Sequence, residues 1–297
     1  MAEQPPPAES GGAATQAQGS RGLAASLKRL QESVEDQRHY EALQQYKTLF
    51  YRSAARKKPE ALQVLEEGAC VLLRHDCTEA GLELGLLLVT HLKTADPDVS
   101  EPSKQSIARI SDAFGRLEEA RAKHIKFLAQ AVEWSKGKEK GKCGDPAIHQ
   151  RLAQAYDAGG EAAQAHSHYV RGADTSAFLS ALERWAQGAH AEEEGLFVVR
   201  AVLQSLCVER MDSAEALLRG GTQLTKARLE EGSPQYNFCR LLIAACRKKT
   251  PPLFQVIMGE YAATVRADPS FPEYMGRIGE IYFGIARPKS GLQGLLA

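Results

Sequence analysis

Little in this chain points to bond-making chemistry. Its 297 residues carry 37 basic and 37 acidic side chains, so no excess of either sign draws nucleic acid or an anionic membrane. Cysteine is sparse: Cys70, Cys77, Cys143, Cys207, Cys239 and Cys246 are scattered, form no Cys-x-x-Cys pair and follow no secretory signal. That usage leads us to expect free, mostly buried thiols in a reducing compartment, the cytosol. Asn237, the sole asparagine, is followed by Phe-Cys, which excludes a glycosylation acceptor. The most apolar run, Leu196 to Val208, is too short to cross a bilayer. It contains Arg200 and Gln204 one turn apart, on the face that carries Glu193, and reads as a core helix with a single wet stripe. No long alternating β pattern occurs anywhere. The expectation is a protein neither secreted nor membrane-embedded.

What is present is a repeat. Between His39 and Thr94 the pair Glu-Ala recurs at Glu41-Ala42, Glu60-Ala61 and Glu79-Ala80. Each alanine is followed four positions later by a large residue, Tyr46, Leu65 and Leu84. That beat is about one helix of 15 to 16 residues plus a turn, roughly 24 Å of rise. A small residue near each helix start admits a neighbouring backbone, and the large one a turn later fills the groove. Such helices bury an apolar face only by stacking, so the expected fold is all-α, a right-handed α-solenoid of tetratricopeptide-like helix pairs.

Residues 1–20, rich in Pro, Ala, Gly, Gln and Ser, are expected to be a disordered tail, and 291–297 a flexible end. Helical spacing begins at Leu23 and runs to about Glu35, and Asp96-Pro97-Asp98 ends the repeated region. A helix pair over 103–116 and 119–135 follows, with Ile107, Ile110, Phe114, Ile125, Leu128 and Val132 facing inward. The Gly/Lys loop 136–144 divides a first half, 21–142, from a second, 143–290, and Asp145-Pro146 supplies the next N-cap. Leu152, Tyr156, Gly160, Ala165 and Tyr169 show degenerate tetratricopeptide spacing. Further helices are expected over 175–187, 192–209, 213–229, 235–248, 253–266 and 272–283, with room for one short β-hairpin around Glu230 to Tyr236.

No candidate site for catalysis, cofactor or metal withstands inspection. His166 and His168, two apart on a helix, point about 200° from each other and cannot share a ligand. Cys70 and Cys77 share a face only if a helix runs through Asp76. The run Gly137 to Cys143 lacks the glycine spacing, the Ser/Thr and the preceding strand of a phosphate loop. Gly81 and Gly85 mark close helix packing. The basic residues Lys28, Arg29, Arg38, Lys47, Arg52, Arg56, Lys57 and Lys58 crowd the first helices and read either as a solvated face or as a docking patch for an acidic partner. The C-terminal aromatics Phe254, Tyr261, Phe271, Tyr274, Tyr282 and Phe283 are core first and interface second.

Residue strings go further. Tyr40-Glu41-Ala42 with Thr48-Leu49, Gly68-Ala69, Trp134-Ser135, Gly144-Asp145-Pro146 with His149, Asn237-Phe238 with Leu241-Leu242, Tyr274 with Ile278-Gly279, and Tyr282-Phe283-Gly284 ahead of Pro288-Lys289 occur in this order. In that order the chain resembles the Golgi-to-ER traffic protein 4 family, the helical adaptor of the tail-anchored-protein targeting pathway. The resemblance implies a cytosolic adaptor without catalysis or cofactor, reaching the ER membrane only through its partners. The first half would dock on the homodimeric targeting ATPase through Lys28, Arg29, Tyr40, Tyr46 and Arg52. The second half would hold a ubiquitin-like-domain cofactor protein through Phe238, Leu241, Leu242, Phe254, Tyr261, Tyr274 and Tyr282. Family members in animals also join a large ubiquitin-like chaperone scaffold. Where the family usually reads Gly-Asp-Tyr before Tyr-Glu-Ala, this chain has Gln37-Arg38-His39, a charge inversion. Without the resemblance, the residues alone also fit a scaffold subunit of a proteasome-lid-like or coat-like complex.

Overall fold

Short amphipathic helices connected by tight turns make up the computed structural model, which describes residues 11–56, 58, 60–138, 143–190 and 193–286, with side chains from residue 22 onward. Fifteen α-helices and two 3-10 turns occur among these residues, and no strand does. They fall into two compact units that divide between Gly144 and Asp145. The first holds α1 (Gly11–Glu35), α2 (His39–Ala55), α3 (Glu60–Arg74), α4 (Thr78–Ala95), α5 (Glu101–Phe114) and α6 (Arg121–Ser135). The second holds α7 (Pro146–Ala158), α8 (Ala162–Tyr169), α9 (Thr175–Trp185), α10 (Glu194–Cys207), α11 (Met211–Gly221), α12 (Pro234–Lys248), α13 (Pro251–Glu260), α14 (Ala262–Arg266) and α15 (Phe271–Phe283).

In the first unit the Glu-Ala repeat becomes α2, α3 and α4. Each packs on the next, and α3 also meets α5 while α4 meets α6, so the core is built between neighbours one and two places apart. Tyr46, Leu65 and Leu84, the large residues of the repeat, are almost wholly buried, as are Ile107, Ile110, Phe114, Leu128 and Val132. Gly68 lies where α2, α3 and α4 meet. A methyl group added there would sit 2.7 Å from Tyr46 Cδ1 and 2.8 Å from Leu84 Cδ1, both on immobile buried side chains. Gly85 plays a similar part, its missing Cβ lying 3.1 Å from the Phe127 ring. A polar tie spans α3 and α5: the buried Glu66 carboxylate accepts from Ser106 Oγ at 2.6 Å and pairs with Arg109. The break after α4 is held by Asp96, whose carboxylate accepts from the Ser100 backbone N–H at 3.0 Å, while Trp134 Nε1 donates to the Asp96 carbonyl at 2.9 Å.

The second unit opens as its sequence predicts. Asp145 caps α7, its carboxylate accepting from the N–H of Ala147 at 2.9 Å and of Ile148 at 3.3 Å, with Pro146 in the first turn. Gly160, at φ +75°, makes the turn from α7 to α8 and leaves Ala165 and Tyr169 buried. The helix α10 is the hub, packing on α9, α11, α12 and α15. Its residues Val198, Val199, Ala201, Val202, Leu203 and Leu206 are fully buried.

Three expectations change. Helix α1 reaches back to Gly11, into the stretch expected to be disordered, because Ala and Gln are good helix formers. Residues 1–10, with the flexible end at 291–297, lie outside the described residues, as do 139–142 of the Gly/Lys loop. The helix expected over 213–229 stops at Gly221, where consecutive glycines weaken it, and the one expected over 253–266 is interrupted at Tyr261. There is no β-hairpin at 230–236: a turn leads into α12, capped by Ser233 accepting from the Tyr236 N–H at 3.1 Å. The irregular segment before it is held by one carboxylate, Glu183 of α9. That group accepts from the backbone N–H groups of Thr225 at 3.1 Å, Lys226 at 2.9 Å and Ala227 at 3.1 Å. The hairpin is absent because Ser233 and Pro234 start α12 within the stretch it would need.

Two substitutions test this packing. Gly68→Ala is expected to cost about 1–3 kcal/mol by overpacking. A urea titration should show a lower midpoint with unchanged slope, and an unaltered midpoint would mean that α2 and α4 yield freely. Burial works against the Glu183 charge, but the N–H groups of Lys226, Ala227 and Thr225 hold its carboxyl below the ordinary range. The stability it contributes is therefore present above the ordinary carboxylate pKa and lost as pH falls through the depressed native value. Glu183→Ala should cost roughly 1–2 kcal/mol at neutral pH and less in acid. An equal loss at both pH values would exclude the charge as the cause.

Candidate protein-binding surfaces

The basic residues of the first helices separate into two groups. Arg38 is matched by Asp36 at 2.9 Å and by Glu41 at 3.9 Å, so the local charge inversion at Gln37-Arg38-His39 is compensated beside it. Lys47 pairs with Glu83 of α4. Lys57 lies outside the described residues. Lys28, Arg29, Arg52, Arg56 and Lys58 are exposed and form no ion pair with another described residue. Arg29 and Arg52 line one cleft between α1 and α2 together with Thr48 and Leu49. Arg52, Arg56 and Lys58 line its continuation past Ser26 and Ser53. Leu30 and Leu49 give the cleft its apolar part and Glu60 lines it as a carboxylate, and the excess of guanidinium groups makes it a surface for carboxylates.

The resemblance-derived ATPase-facing set is thus divided by the fold. Lys28, Arg29 and Arg52 stand on the surface, and Tyr40 at the start of α2 is 75% exposed. Tyr46 is not on the surface: at 1% exposure it is packed against Gly68, and burial pushes its hydroxyl up to about 12. It supports the face from within, because a wholly buried ring cannot touch a partner without opening the core.

The second set is divided in the same way. Phe238 and Leu242 on α12 are fully buried, and Phe254 on α13 nearly so, stacked on Phe283 with centroids 4.6 Å apart. These three are core, placed inward by the apolar stripe of their helices. Leu241, Tyr261, Tyr274 and Tyr282 are half-buried and keep some surface. Tyr261 lies against Phe238, centroids 5.7 Å apart, at the kink between α13 and α14. The Tyr282 hydroxyl is buried with no hydrogen-bond partner, and burial raises it to about 12. Tyr274 is elsewhere, facing α10.

Around Tyr274 a cavity of about 570 Å³ opens between α8, the end of α9, α10 and α15. Sequence reading missed it as a site, although its signal was the wet stripe on α10. Arg200 of that stripe pairs with the buried Asp268, whose carboxyl is opposed by burial but held low by Ser270 and Arg200. Gln204, one turn on, donates from Nε2 to the Tyr274 hydroxyl at 2.6 Å and accepts from His166 at 2.6 Å. Burial, with a smaller push from Arg200, takes His166 down to about 4, so the ring is neutral at physiological pH. His168 turns the other way, its Nδ1 lying 2.8 Å from His149 Nδ1 and its ring stacked on Tyr156. The two histidines of α8 therefore join separate networks. Cys70 lies within α3, which ends at Arg74, while Cys77 follows a left-handed Asp76, φ 59°, which ends any shared helix face. No group of three or more metal-type side chains occurs among the described residues, and none of their helices is long and apolar enough to cross a membrane.

A family model described as Golgi to ER traffic protein 4 matches residues 55–297. Golgi to ER traffic protein 4 homologs from Bos taurus and Homo sapiens are 30% and 29% identical over 277 and 275 residues, covering 90% of this chain and 83% of each relative. The Dictyostelium discoideum homolog is 28% identical over 273 residues, covering 91% of this chain and 87% of its own. The crystal structure of Get4 from C. therm. aligns with a TM-score of 0.77 over 92% of this chain and 93% of that one, and at 23% identity this likeness speaks for the fold. With more than half of its length matched by the family model, and a relative 30% identical aligned across most of both chains, the protein belongs to the Golgi to ER traffic protein 4 family.

Proposed function

We propose that this protein is a non-catalytic adaptor of Golgi-to-ER traffic, working in the post-translational targeting of tail-anchored membrane proteins. Membership of the Golgi to ER traffic protein 4 family is the observation that carries this reading. In it, the first unit docks on the homodimeric targeting ATPase through the α1–α2 cleft, with Arg29, Arg52 and Arg56 receiving carboxylates and Tyr40 supplying an exposed aromatic contact. The second unit holds the ubiquitin-like-domain cofactor protein through the accessible residues Leu241, Tyr261, Tyr274 and Tyr282. A large ubiquitin-like chaperone scaffold is the third proposed partner, and the working compartment is the cytosol.

The physical logic is proximity. An adaptor gripping two proteins raises the effective concentration of each for the other, so a client passes between them without any bond chemistry in the adaptor. The absence of an ion-pair partner for the cleft arginines among the described residues supports charge-steered encounter with the first partner. Separate cores in the two units support independent surfaces for the two partners.

The full chain carrying Arg29→Glu, Arg52→Glu and Arg56→Glu should bind the ATPase at least about tenfold more weakly, chiefly through a slower association rate. Raising the ionic strength should weaken the unmodified protein in the same way, because exposed charges are screened. Co-purification of the ubiquitin-like cofactor should be unaffected by the triple variant. Unchanged ATPase affinity by surface plasmon resonance, or loss of both partners together from a folded variant, would refute the two-surface arrangement.

A further inference from the structure

The cavity beside Tyr274 has the size range, apolar lining and few convergent polar groups of a binding pocket. Trp185 and Phe197 give it aromatic walls. Its polar side is ordered in one direction. Because Gln204 Nε2 donates to the Tyr274 oxygen, Gln204 Oε1 must accept, and the neutral His166 donates to it from Nε2. The Tyr274 hydroxyl is then left with its hydrogen, for which no described residue provides an acceptor. A donor at the end of such a chain is strengthened by the bonds behind it.

The charged rim has the same preference. Arg200 is matched by Asp268. Arg171 and Arg277 are matched by no carboxylate among the described residues: Arg171 donates to the Ser167 carbonyl at 2.6 Å, and Arg277 Nε to the Cys207 carbonyl at 3.0 Å. Each keeps further guanidinium N–H groups for a ligand. Glu273 is the carboxylate that lines the cavity, leaving the cations in excess. These donors stand on different elements around one cavity, Arg171 just after α8 and Tyr274 and Arg277 on α15, an arrangement that acceptors spaced along a polypeptide match.

We propose that this cavity is a docking pocket for a short acidic segment of a partner protein, which inserts a bulky apolar side chain against Trp185 and Phe197 while flanking carboxylates engage Arg171, Arg277 and the Tyr274 hydroxyl. The pocket shares Tyr274 with the surface assigned to the ubiquitin-like cofactor, but it does not depend on that assignment, and the two are read by different measurements. It lies in the unit that does not contain the α1–α2 cleft.

The test uses the full chain and a short fluorescein-labelled peptide of glutamate, leucine and phenylalanine, followed by fluorescence anisotropy at low salt. The peptide should bind, and its counterpart with glutamine for glutamate should bind at least about tenfold more weakly. Arg171→Ala with Arg277→Ala should lose at least about tenfold in affinity, Tyr274→Phe about threefold, and Ala163→Trp, which fills the mouth from the exposed face of α8, should abolish binding. Lys126→Glu, on the exposed face of α6, should leave binding unchanged, and thermal melting establishes that each variant is folded. Equal binding of the glutamine peptide to the unmodified protein overturns the proposal whatever the variants do. So does loss of binding in the triple α1–α2 variant instead of the pocket variants, or competition by free phenylacetate at the peptide's own concentration range. Cofactor co-purification from the pocket variants reports on the adaptor reading and leaves the pocket result to the peptide.

Discussion

Most helices here are too short to hold together alone and hide their apolar stripes against their neighbours. An isolated helix of fifteen or so residues is marginal in water, and packing supplies what propensity does not. In the first unit that dependence narrows to one place, the missing side chain of Gly68, against which Tyr46 of α2 and Leu84 of α4 both press. Three consecutive helices share this contact, and the close approach it allows sets the spacing that α5 and α6 then continue. In the second unit α10 serves the same end by being buried on nearly all sides, a hub with one polar stripe.

Because the apolar faces are used up in stacking, the polar side chains that remain inside are ties between helices. Glu66 reaches from α3 to Ser106 and Arg109 on α5. Glu183 gathers three backbone donors from a segment that has no secondary structure of its own. Arg200 and Gln204 connect α10 to Asp268, to His166 and to Tyr274. Each of these ties joins hydrogen-bonding or charged groups on different elements. What the molecule offers to others is the opposite kind of group: surface arginines with no internal match, at the α1–α2 cleft and at the rim of the α8–α10–α15 cavity. Charge left unneutralised on a helical scaffold is a means of recognition, which fits the adaptor role proposed above.

Residues drawn from family resemblance were sorted by burial into contacts and supports. Tyr46, Phe238, Leu242 and Phe254 are core. Tyr40, Arg52, Tyr261 and Tyr274 keep surface. A string match weighs both kinds equally, since a residue that shapes a surface from beneath is as constrained as one that touches the partner.

The order of residues by itself determined the helical class, the repeated unit and most helix boundaries, because apolar spacing of three and four and the Asp145-Pro146 and Gly160 signals act over a few residues. It also set His166 and His168 on different sides of one helix, whereas the break between Cys70 and Cys77 at Asp76 came from the structure. Tertiary structure alone decided which arginines remain unmatched among the described residues, that Glu183 holds the irregular segment at Thr225 to Ala227, and that the wet stripe of α10 faces a cavity. Those features join residues 38 to 70 positions apart, such as His166 with Gln204 and Gln204 with Tyr274. Pairing at that distance depends on how helices are laid against one another, and local periodicity carries no information about it.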